Sequence, residues 1–342
     1  DAIITYLAFS IDRCTNYWSS FAPWGGSFIV QTFGRQAIPM IWDYAEANPF
    51  SNSTGSWDGA VEWVAKVLEK FVPSGEGISR QVDVSKSVFS DENTVVITDP
   101  PYYDNIMYAD LSDFFYIWMR KMLNNIYPEI FKTIMTPKDT EIVASTVRQN
   151  GDKKLANEHF LNGLSKAAEN IINSSNSQYP IVYYYAFKQS ETNKKGDKSS
   201  TGWEVFLDGL IKTKHQITAT WPMRTERDQG FKTGSNVLAS SIIISTRRQE
   251  ENSEIATRKE FIDELEVELE SAILNMMSSD IAPVDMQQSS IGPGMAVFTK
   301  YAKVLEADGS PMNVRTALQI INSELDRIQE NSEIEMDSDT RF

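Results

Sequence analysis

The chain has 342 residues, 41% of them hydrophobic, with Cys14 as its one cysteine and His159 and His215 as its only histidines. Those numbers suit one to three globular domains in a reducing cytoplasm, with no internal disulfide, no zinc site, no membrane-length apolar run and no signal peptide. The formal charge is −15, but −12 of it falls in residues 251–342, where 19 acidic residues stand against 7 basic ones. Binding to phosphate depends on local basic surface, so the total does not exclude nucleic acid as a partner.

The first seventy residues read as helical. Ile3, Leu7, Ile11 and Cys14 share one face, and residues 60–71 place Val61, Val64, Ala65 and Leu68 at helical spacing. Residues 38–47 are expected to form a helix ended by Asn48-Pro49-Phe50-Ser51. Just before it stand Arg35 and Gln36, which serve equally well as nucleic-acid contacts or as ties that hold a loop to its neighbours. A Pro/Gly/Ser loop covers residues 72–78, and residues 79–84 read as a short strand ending near Asp83.

Residues 95–98, Val-Val-Ile-Thr, form the next strand, and it runs directly into Asp99-Pro100-Pro101-Tyr102. By ordinary residue usage that tetrapeptide arises by chance on the order of once in a thousand chains of this length. One reading is a turn that ends a strand, since Asp and Pro both favour turns. The other is chemical. The exocyclic amine of adenine is a poor nucleophile because its lone pair is delocalised into the ring. The Asp99 carboxylate and the Pro100 carbonyl would each accept one of its N–H bonds and favour a pyramidal nitrogen with its lone pair aimed outward. Pro100 and Pro101 fix φ and remove two competing N–H donors. Tyr102 offers a flat face for the base, which must be flipped out of a duplex to reach it.

Residues 108–123 follow as a helix with Leu111, Phe114, Phe115, Trp118 and Met122 on its apolar side. Its first turn, with Leu111, is expected to line the site. Residues 153–172 form another helix, residues 181–187 a tyrosine-rich strand, residues 189–201 a polar loop and residues 203–211 a helix. Residues 215–221 and 237–245 are two further strands. The segment joining them carries Arg224, Arg227 and Lys232, which read either as a basic loop for phosphate or, given Glu226 and Asp228 among them, as a solvated hairpin tip. Beyond Glu250, Phe261, Leu265, Leu269, Ala272, Ile273 and Met276 form one stripe of an acidic helix, and residues 314–329 form the last helix. The expected organisation is a helical segment over 1–72, an α/β domain over 73–250 and an acidic helical region over 251–342.

The order strand, Asp-Pro-Pro-Tyr, aromatic helix, then strand, helix, strand, strand resembles the catalytic half of the S-adenosylmethionine-dependent amino-methyltransferases. The longer run Asp99 to Trp118 is more specifically similar to the adenine-specific DNA methylases that carry a zinc ribbon upstream. Phe33 to Phe50, Asp139 to Val143 and Ile291 to Val297 support the same family. The resemblance implies a Rossmann-like methyltransferase sheet, S-adenosyl-L-methionine as cofactor, DNA with a flipped adenine as partner, and no metal within this chain. It assigns Asp99, Pro100, Pro101 and Tyr102 to the target amine and base. Asp83, Asp99 and Leu111 fall to the cofactor side, and Tyr102, Tyr103, Arg35, Arg224, Arg227 and Lys232 to the nucleic acid. Related tetrapeptides also serve cytosine N4, guanine N2 in RNA and glutamine amides. A non-catalytic interaction module is the alternative from another class.

The chain departs from the family at the glycine-rich cofactor loop. Gly75-Glu-Gly77 and Gly292-Pro-Gly294 are its only candidates, and neither follows an apolar strand of the required kind. The chain also opens at Asp1 inside an apolar-periodic stretch. Both features lead to the expectation of a longer polypeptide whose upstream part supplies the rest of the cofactor site.

Overall fold

The computed structural model describes residues 1–34, 37–86, 94–104, 106–185, 201–224, 240–277 and 283–335. The chain divides into two compact units, and the division is not sequential: one unit takes Asp1–Val82 with Ile106–Glu141, the other Asp83–Asn105 with Ile142–Phe342. This corrects the expected three-part organisation.

The first unit holds α1 (Ala2–Thr15), α2 (Trp57–Lys70) and α3 (Tyr108–Leu123). Ser56 caps α2 by accepting the Gly59 N–H, and Glu141 does the same for the first turn of α3 by accepting the Ala109 N–H. The fully buried positions of α3 are Ala109, Tyr116, whose hydroxyl turns inward to donate to the Thr133 carbonyl, and Leu123; of the expected stripe, Leu111, Phe114, Phe115 and Met122 are half-buried and Trp118 is exposed. On α1 the small residues Ala8, Ser10 and Cys14 are buried while Ile3 stays 76% exposed. The expected helix over 38–47 does not form; these residues take no regular structure, with a bend at Trp42 and Asp43, and Trp42 is 92% exposed. Pro39 removes an N–H and biases Ile38 away from helix, and Ile38, Met40, Trp42 and Tyr44 recur every second residue, a strand-like period.

The second unit is mixed α/β. Its four-stranded sheet has the order β1-β2-β4-β3, built from β1 (Ile97–Thr98), β2 (Ile181–Tyr185), β3 (His215–Arg224) and β4 (Ser240–Arg248). β1 and β2 are parallel, and β4 runs antiparallel to both β2 and β3. Around it lie α4 (Lys153–Ser174) and α5 (Thr201–Lys212), then α6 (Arg258–Met277), α7 (Pro283–Lys300) and α8 (Val314–Glu335). A two-stranded parallel sheet pairs β5 (Ile255–Thr257) with β6 (Lys303–Leu305). The expected strand over 79–84 is absent: Ser79, Arg80 and Gln81 are exposed and only Val84 packs on the core.

One apolar core joins Phe160 and Leu164 of α4, Tyr183 and Tyr185 of β2, Phe206 of α5 and Ile244 of β4 to Phe261, Leu265 and Leu269 of α6 and Ala317 and Ile321 of α8. α6, α7 and α8 therefore share the core of the sheet rather than forming a region apart. The acidic residues of α6 sit on its solvent side, and a reciprocal Thr257–Glu260 capping box starts the helix. Among the described residues no helix is long and apolar enough to cross a membrane.

Gly292-Pro293-Gly294 lies inside α7, which packs on β3 and α8. A Cβ at Gly292 would sit 1.5 Å from the Thr220 Oγ1, and one at Gly294 2.7 Å from Ile321. These glycines serve close helix–strand and helix–helix approach; the space a phosphate or nucleoside would need is filled by the protein's own side chains. Gly292→Ala is expected to destabilise the fold by about 2 kcal/mol or more, read from urea unfolding. Wild-type stability in that variant would contradict the close crossing of α7 over β3.

Candidate functional site

β1 is a two-residue edge strand whose ladder is set by Ile97 against Val182 and Thr98 against Tyr183. The Val182 N–H donates to the Val96 carbonyl, and Val96 packs into the core, while Ile97 faces outward at 66% exposure. The chain then meets two prolines. Neither brings an N–H, so pairing with β2 ends at Thr98, and Asp99 to Tyr102 project from the carboxyl ends of two parallel strands. In open α/β sheets that edge is where ligands bind.

Asp99 is exposed; Pro100, Pro101 and Tyr102 are half-buried. Tyr102 makes a T-shaped contact with Tyr185 at the carboxyl end of β2, with ring centroids 5.8 Å apart. Tyr185 is held in turn by stacking on Phe206 at 4.1 Å and by Trp203 at 5.5 Å. Tyr102 thus rests on an aromatic column of Tyr185, Phe206 and Trp203. Among the described residues neither the Asp99 carboxylate nor the Pro100 carbonyl accepts a hydrogen bond. The Pro101 carbonyl does, from the Tyr103 N–H at 3.1 Å.

Tyr103 turns the other way from Tyr102. Its φ is +49°, its ring meets Phe160 of α4 edge-on at 5.2 Å, and its hydroxyl donates to the Asn157 Oδ1. Its carbonyl accepts the Ala144 N–H at 2.9 Å. Buried in this way, Tyr103 presents no ring face to a base, which corrects its assignment as a nucleic-acid contact.

Asp83 is not brought to this turn. Its Oδ1 accepts from the Ser85 N–H and hydroxyl, and its Oδ2 pairs with Lys86 at 3.0 Å. The Ser85 hydroxyl first, then Lys86 and the Ser85 N–H, hold its carboxyl below the usual range against a smaller opposing effect of burial. The next residue, Val84, gives its carbonyl to Asn170 on α4, thirteen residues beyond Asn157, which is about 20 Å along a helix axis. The Thr94 carbonyl accepts from Asn176 just past the end of the same helix. α4 therefore runs antiparallel to β1, and Asp83 lies toward the amino end of that strand, opposite the end that carries Asp99. Its assignment as the cofactor-side neighbour is corrected accordingly.

Leu111 is half-buried on α3 and belongs to the first unit. Arg224 ends β3, while Arg35, Arg227 and Lys232 lie outside the described residues. A Cβ at Gly75 or Gly77 would meet nothing within 4 Å, so these glycines form no cradle. The turn thus presents a carboxylate, a carbonyl and a tyrosine ring, and among the described residues neither Gly75–Gly77 nor Gly292–Gly294 forms a cradle that would fit S-adenosylmethionine. Sequence reasoning missed Tyr185 and Asn157. The tyrosine-rich run of β2 hinted at the first; the second depends on tertiary placement.

Asp83→Asn is expected to lower stability at pH 7 by no more than about 1 kcal/mol, read from urea unfolding. A carboxyl held below its unfolded pKa stabilises above about pH 4, and that contribution is lost as pH falls through the folded value, so the difference between variant and wild type should narrow as the pH drops below about 4. A difference that grew over that range would contradict the local role. Compared with protein-family models, characterised proteins and solved structures, the chain matches none.

Proposed function

We propose that this chain carries the amine-holding side of a DNA adenine amino-methyltransferase, which moves a methyl group from S-adenosylmethionine to the N6 amine of a flipped adenine. The observation that carries this reading is the position of Asp99-Pro-Pro-Tyr102 at the carboxyl ends of parallel β1 and β2, with the Asp99 carboxylate and the Pro100 carbonyl both uncommitted among the described residues. Two acceptors on adjacent residues match the two N–H bonds of a primary aromatic amine. Accepting both pulls the nitrogen toward a pyramidal geometry and localises its lone pair, which is the electronic change an attack on carbon requires. Tyr102, resting on Tyr185, offers the extruded base a wall to stack on.

The sheet supports the same reading. The series β2, α5, β3, β4 is present in the order that carries the resemblance, and we read β1-β2-β4-β3 as the catalytic half of a Rossmann-like methyltransferase sheet. The cofactor side we assign to sequence upstream of residue 1, since neither Gly75–Gly77 nor Gly292–Gly294 forms a cradle and Asp83 lies at the other end of β1. The acid of residues 251–342 does not count against DNA, because much of it lies on α6 and α8 rather than at the turn.

Two measurements test this. Calorimetric titration of the 342-residue chain with S-adenosylmethionine is expected to show no saturable binding tighter than about 1 mM. In a polypeptide extended upstream, Asp99→Ala is expected to cut methyl transfer to DNA by about 1,000-fold or more with the unfolding midpoint unchanged. Retention of transfer in that variant would sink the role of Asp99.

A further inference from the structure

Tyr103 is in the left-handed region, where glycine or asparagine is at ease and a bulky aromatic residue costs on the order of 1–2 kcal/mol. Such a conformation persists only when its surroundings over-determine it. Here they do so from three directions. Asn157 accepts the hydroxyl, Phe160 packs against the ring, and Ala144 donates to the carbonyl. Asn157 is itself held one turn into α4, whose start is fixed by Asp152 accepting from the Lys154 and Leu155 N–H groups.

The left-handed φ at Tyr103 sends its ring into α4, while the Tyr102 ring meets Tyr185, separating two adjacent aromatic residues by role. The peptide between them gives the Tyr103 N–H to the Pro101 carbonyl, so that of the two proline carbonyls only that of Pro100 stays uncommitted among the described residues. A glycine at this position would adopt the same φ at less cost but would have no side chain to anchor.

We infer that Tyr103 and Asn157 are positioning residues: the hydroxyl–amide hydrogen bond between α4 and the turn anchors Tyr103, keeps its N–H on the Pro101 carbonyl and thereby fixes the angle at which the Pro100 carbonyl meets the target amine. This rests on the reading of Asp99 to Tyr102 as an amine site. Neither residue touches the reacting atoms. Their effect comes through geometry, where a displacement of an ångström costs on the order of 100-fold in rate.

The test uses Tyr103→Phe and Asn157→Ala, which remove the hydrogen bond from either side, and Asn157→Asp, which keeps an oxygen to accept the hydroxyl. Hydrogen exchange of the Tyr103 amide in the 342-residue chain reads the turn without any assumption about chemistry. Protection should fall about 10-fold in Tyr103→Phe and Asn157→Ala and return in Asn157→Asp. Unchanged protection in the first two, or no recovery in the third, overturns the inference. In the upstream-extended polypeptide, the first two should lower kcat for methyl transfer by about 10- to 100-fold with KM for DNA within about 3-fold, and Asn157→Asp should recover most of the loss. A loss that only follows the folded fraction, or an unchanged kcat, overturns the positioning role. Asp99→Ala in the same assay separates the two levels. If it retains activity the amine-site reading fails; if it abolishes activity while Tyr103→Phe is unaffected, only the positioning inference fails.

Discussion

Two consecutive residues without an N–H end the pairing of β1 with β2 at Thr98, and most of the site follows from that constraint. A strand that cannot continue its ladder must leave the sheet at its carboxyl end, and its next carbonyls are released from backbone pairing. One of them, that of Pro101, accepts the Tyr103 N–H; among the described residues that of Pro100 accepts nothing. For this arrangement to act, the turn must be held still.

That rigidity comes from α4 and β2. α4 fastens the Tyr103 end of the turn through Asn157 and Phe160, and near its other end it fastens Val84 and Thr94 through Asn170 and Asn176. β2 fastens Tyr102 through Tyr185, which is stacked on Phe206 in the main core. The same core takes in α6 and α8, so the acidic C-terminal helices support the sheet on which the turn stands. The turn and the core are linked here through a few aromatic contacts.

Much of this was legible in the sequence where local signals agree with tertiary demands. The bounds of α3, the alternating β2 and the apolar stripe of α6 all follow from periodicity, and the prolines at 100 and 101 mark the end of β1. Where packing overrides local signals, the sequence misleads. Gly292-Pro-Gly294 reads as a break, yet it sits inside α7 because close approach to Thr220 and Ile321 excludes a Cβ. Asp83 reads as a strand-end acid, yet Ser85 and Lys86 close a local turn around it. Tyr102 and Tyr103 are the same residue type side by side, and only the partners Tyr185 and Asn157, 83 and 54 positions further on, tell the stacking ring from the anchor. The interleaving of the two units is equally invisible locally, since residues 106–141 carry no change in composition to mark their departure from the sheet-bearing unit.

The central claim is that the turn accepts a specific amine, and the identity of the methylated atom tests it most directly. DNA incubated with the upstream-extended polypeptide and S-adenosylmethionine, then digested to nucleosides and resolved by mass spectrometry, should contain N6-methyladenine and lose it in Asp99→Ala. Methylation confined to cytosine N4, or N6-methyladenine formed equally well without the Asp99 carboxylate, would contradict the account.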